Sequence, residues 1–77
     1  MFFVDRSKAH LQALDAWREA ERLVAERWAS FVQAESVARR FAFASYLAAL
    51  DAEEAAAAEL ALTADHQAAA SADRLAA

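Results

Sequence analysis

Apolar side chains recur at spacings of three and four along the first part of the chain: Leu11, Leu14, Trp17, Val24, Trp28, Phe31 and Val32. That period marks one face of an α-helix. The opposite face carries Asp15, Arg18, Glu19, Arg22 and Glu26, and Arg18–Glu21 or Arg22–Glu26 are spaced to pair along the surface. Such pairs add roughly 0.2–0.5 kcal/mol each and mark a solvated face rather than a site. Asp5 and Ser7 are residue types that cap helix N-termini. The pattern predicts a short N-terminal segment over 1–6 and a long amphipathic first helix over 7–34.

The pattern then loses its phase. At 100° per residue, Val37 and Phe41 point nearly opposite to Trp28 and Phe31, while Phe43, Tyr46 and Leu50 return to the first direction. Either a turn near 33–37 restarts the helix, with Ser36 as its cap, or one helix continues and is apolar all round from 37 to 50. A helix that is apolar all round is buried on every side, which in so short a chain means by other copies or by a partner. The turn is the expectation here, with an apolar second helix over 36–50. Asp51-Ala52-Glu53-Glu54 has the spacing of a capping box: either it begins a new helix or it marks a polar turn of a continuous one, and a turn near 50–52 is the expectation here. One or more alanine-rich acidic helices then follow over 51–75, with Thr63 and Ser71 as further caps. So little apolar area follows Leu62 that the last dozen residues should fray unless something docks on them.

Composition supports an all-helical reading. The chain of 77 residues has no glycine and no proline, and 25 of its residues are alanine. Alanine is the strongest intrinsic helix former, whereas glycine and proline punctuate chains into turns. The expected fold is therefore all-α: one domain, a helical hairpin or small three-helix bundle. A single core is only marginally sufficient at this size, and without cysteine no disulfide reinforces it. Completion by oligomerisation or by a partner is the expected remedy.

Charge divides the chain. Residues 1–40 hold seven basic and six acidic side chains; residues 41–77 hold Arg74 against six acids, for a formal net charge of −4. An acidic chain is poorly suited to nucleic acid, whose binding rests on neutralising phosphates. Arg39-Arg40 beside Phe41 is the one feature in favour, and it reads more simply as a basic flank for a partner's carboxylates. The apolar run from Phe41 to Leu50 spans about 15 Å as helix, half a bilayer's hydrocarbon core, so no membrane role is expected. Met1–Val4 is cut short by Asp5, Arg6 and Lys8, unlike a secretory signal. A cytoplasmic protein is the expectation.

Candidate chemistry is sparse. His10 and His66 stand far apart and neither belongs to a ligand pair, so neither metal nor cofactor is expected. Glycine-free sequence offers neither a phosphate-cradling loop nor a nucleophile elbow. Glu21 and Glu35 fall inside the apolar stripe at the phase of Arg39, which predicts an ion pair rather than paired catalytic carboxylates. The expected protein is not an enzyme. It is a protein–protein interaction module, a homo-oligomeric adaptor or an accessory subunit of a larger assembly. Its interface is expected to comprise Leu14, Trp17, Val24, Trp28, Phe31, Phe41, Phe43, Tyr46 and Leu50, since large aromatics dominate both cores and interfaces. The alternative is an acidic regulator that occludes a basic, nucleic-acid-binding protein surface with Asp51, Glu53, Glu54, Glu59 and Asp65.

Overall fold

The computed structural model describes residues 6–76. They form two helices, α1 (Arg6–Gln33) and α2 (Ser36–Ala76), folded back on one another as an antiparallel hairpin. No strand occurs among the described residues. The expected N-terminal segment and its Asp5 cap lie, apart from Arg6, outside the described residues.

The reversal falls at Ala34–Glu35, inside the stretch where the apolar pattern loses phase. Many helices end on a left-handed residue, usually glycine. This chain has none to offer, and no described residue has positive φ. Instead the last turn of α1 tightens, with Ala34 N–H donating to the Phe31 carbonyl at 3.2 Å. Ala38 N–H donates to the Glu35 carbonyl at 2.9 Å and opens α2. The break re-phases the sequence, so that Phe43 and Tyr46 turn toward Phe31 and Trp28.

The second expected turn does not form. α2 runs unbroken through Asp51 for 41 residues, so the separate segments expected over 36–50 and 51–75 are one helix. Asp51, Thr63 and Ser71 are interior helix residues rather than caps. The reason lies in the contacts that follow Asp51. Glu53 and Thr63 both bond to α1, and a turn at 50–52 would forfeit them. An aspartate inside a helix costs only about 0.5 kcal/mol against alanine, less than those two bonds contribute. α2 is helical to Ala76, through the stretch expected to fray, with Arg74 favourably placed in its last turn.

Four contacts run like rungs from the turn to the open end. Phe31 meets Phe43 with ring centroids 5.3 Å apart, and Trp28 meets Tyr46 at 5.1 Å. Further along, Trp17 Nε1–H donates to Glu53 Oε1 at 2.9 Å. Near the open end His10 Nδ1 lies 3.0 Å from Thr63 Oγ1. The Thr63 hydroxyl spends its one proton on the Leu60 carbonyl at 2.8 Å, so its oxygen accepts and His10 Nδ1 carries the donating hydrogen. Beyond Gln67, α2 projects past the described start of α1.

The result is a rod. Its longest extent is 62 Å, close to the roughly 61 Å that 41 helical residues span. The radius of gyration is 17.7 Å, against about 11.5 Å for a compact chain of this length. Ala20, 9% exposed, is the one buried apolar residue among those described.

Candidate interaction surface

Two helices side by side can enclose only the seam between them, and here that seam is half-open throughout. Leu14, Trp17, Val24, Phe31, Tyr46 and Leu50 are half-buried along it. Trp28 touches both Phe31 and Tyr46 yet is still 48% exposed, and Phe43 is similarly uncovered.

Helical phase sorts the exposed apolar groups into two surfaces. Leu11, Leu14, Trp28 and Val32 of α1 fall on the same broad side of the hairpin as Phe43, Leu47 and Leu50 of α2. Alanines 58 and 61 continue that side toward the open end, and Arg18, Glu21, Glu54 and Asp65 share its phase. The second surface is a strip on the far side of α2, where Val37 is 88% and Phe41 76% exposed. Phe41 therefore stands apart from the other interface residues expected from sequence. Leu11, Val32 and Leu47 join the broad face without having been singled out for it. Their signal was present: Leu47 lies four residues beyond Phe43, and Val32 four beyond Trp28.

An open groove of about 320 Å³ lies at the centre of the seam, lined by Glu21, Val24, Ala25, Trp28, Tyr46 and Glu53. Two carboxylates border it. Glu53 is half-buried and tied to the Trp17 indole, so it turns inward, whereas Asp51, Glu54, Glu59 and Asp65 are exposed on α2. Glu21 is exposed, and the expected pairing of the stripe carboxylates with Arg39 is not seen. Arg39 Nη2 instead donates to the Ala34 carbonyl at 3.5 Å, helping to close the turn.

Of the two surface pairs expected on the first helix, that between Arg22 and Glu26 forms, and Glu19 joins it. Arg22 Nε donates to Glu19 Oε2 at 3.0 Å, and its Nη groups reach Glu19 and Glu26. The hydrogen bond from Arg22 holds the Glu19 carboxyl below its ordinary value of 4.5, and the same bond pushes the guanidinium still higher. Both groups are fully exposed, so the pair brings local order to α1 rather than a reactive centre.

Among the described residues no group of three or more His, Cys, Asp or Glu side chains converges as a metal site. His10 is engaged with Thr63, and His66 is exposed further along α2. No helix among the described residues is long and apolar enough to cross a membrane. The fold and surface define a class: an antiparallel two-helix hairpin with an uncovered apolar face. No family model, no curated protein and no solved structure matches the chain.

Proposed function

We propose that this protein is a non-enzymatic protein–protein interaction module, a helical hairpin that completes its core by pairing its broad apolar face with a second copy of itself. The observation that carries the reading is the uncovered apolar surface. A compact monomer of 8.4 kDa exposes about 4,600 Å² by the usual size scaling, whereas this chain exposes 6154 Å². The excess of about 1,500 Å², polar and apolar together, reflects a rod whose seam is half-open, with Trp28, Val32, Phe43 and Leu47 still 43–62% exposed. Large aromatics half-covered within one copy are the residues that carry binding energy when a second copy covers them.

Trp28→Glu tests the reading. A charge at the centre of the face is expected to yield a monomer by light scattering with much reduced helicity by circular dichroism. Unchanged mass and helicity would refute it.

A second reading rests on the exposed carboxylates Asp51, Glu54, Glu59 and Asp65, which the unbroken α2 holds on one rigid rod. Such an array suits a basic protein surface, the logic of an acidic regulator. Neutralising Glu54, Glu59 and Asp65 together should then weaken binding to a polylysine-coated surface and flatten its salt dependence. Unaltered binding would remove this reading.

A further inference from the structure

The broad face is lopsided. Its turn half carries the bulk, in Trp28, Val32, Phe43 and Leu47, while its open half offers Leu11 and Leu14 beside alanines and the charged side chains of Arg18, Glu21, Glu54 and Asp65. Charge is lopsided along the same axis. The turn half, residues 22–51, holds Arg22, Arg27, Arg39 and Arg40 against Glu26, Glu35 and Asp51. In the open half, acids exceed bases by four: residues 6–21 balance three bases with three acids, and residues 52–76 hold five acids against Arg74.

From these two gradients we infer that two copies of this chain pack face to face with their turns at opposite ends, as an antiparallel four-helix bundle. The inference rests on the self-pairing reading above and adds its geometry. Laid this way, the bulky half of each copy covers the alanine-rich half of the other, and large side chains interdigitate with small ones. Trp28 and Val32 of one copy lie over Leu14 and Leu11 of the other. At that register Arg39 and Arg40 come level with Ala57 and Ala56 of the other copy, between its Glu54 and Glu59. The opposite arrangement, with both turns at one end, crowds the aromatics against aromatics and holds the alanines apart. It also gathers the arginines of both turns together, which costs free energy. The footprint suffices. α1 is 28 residues long and α2 runs beside it, so the face is about 42 Å long. Two helices side by side are about 20 Å wide, which gives roughly the 800 Å² that a stable dimer buries per partner.

The absence of native cysteine makes the geometry directly readable. Leu11 and Val32 are 59% and 62% exposed in the hairpin, so cysteine at either position leaves the fold intact. The Leu11→Cys/Val32→Cys double variant should be joined into a covalent dimer by a short bismaleimide, while neither single variant is. In the antiparallel bundle, the two Val32 positions stand roughly 30 Å apart. Efficient cross-linking of Val32→Cys alone would overturn the arrangement, as would a double variant that is dimeric yet never cross-links. Light scattering on the uncoupled variants separates the two claims, since monomers there would sink the self-pairing itself. The unaltered chain gives an independent check. Opposite charges facing one another predict a dimer that weakens as salt is added, and one that tightens with salt would contradict the arrangement.

Discussion

Trp17 Nε1–H donates to Glu53 Oε1 across the hairpin at 2.9 Å, midway between the aromatic rungs near the turn and the His10–Thr63 contact near the open end. The bond fixes how α2 is rotated against α1 where alanines provide little shape of their own. Glu53→Ala should cost about 1–2 kcal/mol, because a charge-assisted bond is lost and the indole N–H is left to water. Glu53→Gln retains an acceptor oxygen and should cost under about 1 kcal/mol. Urea unfolding at one fixed protein concentration separates them, and equal losses would mean that the bond contributes only through charge.

Thr63 and His10 form the last rung before the open end. A double-mutant cycle with His10→Ala and Thr63→Ala should return a coupling of about 0.5–1.5 kcal/mol. Additive single effects, read from the same unfolding curves, would show that the two helices are not joined there in solution.

Asp51 discriminates between a continuous helix and a turn. As an interior residue of α2 it should be improved upon by alanine, so Asp51→Ala should raise stability by about 0.5 kcal/mol. As an N-cap, its replacement would cost about 0.5–2 kcal/mol instead. The sign of the shift in thermal midpoint, followed by circular dichroism, decides.

Acid should act on the Glu19–Arg22 pair in one direction. The folded-state pKa of Glu19 lies below its ordinary 4.5, so the ionised carboxylate contributes stability above that value. The contribution is lost as pH falls through the lower folded value. Glu19→Gln should therefore melt below the parent at neutral pH and level with it in strong acid. Because the pair is exposed, molar salt should also remove most of the difference. A gap that persists in acid would mean that Glu19 acts through something other than its charge.

The all-helical class and the reversal near residue 34 were legible because both are local: propensity, period and loss of phase reside in neighbouring residues. The continuity of α2 was not. Asp51-Ala52-Glu53-Glu54 has the letters of a capping box, and only the bonds of Glu53 and Thr63 to α1 show why the helix runs on. Arg39 had the right phase to meet a stripe carboxylate but turns back to the Ala34 carbonyl, a choice made by the turn itself. Phe41 illustrates the same limit at the surface. Its large apolar ring marked it for the interface, whereas its phase, already opposite to Trp28, places it on the far side of α2.

A hairpin that buries so little, Ala20 alone among the described apolar residues, should not stand by itself. Light scattering on the unaltered chain, across a hundredfold range of concentration, tests it most directly. A self-pairing hairpin should give twice the 8.4 kDa chain mass over most of that range, with helicity falling wherever the dimer dissociates. A particle of 8.4 kDa that keeps full helicity and melts cooperatively at every concentration would contradict it.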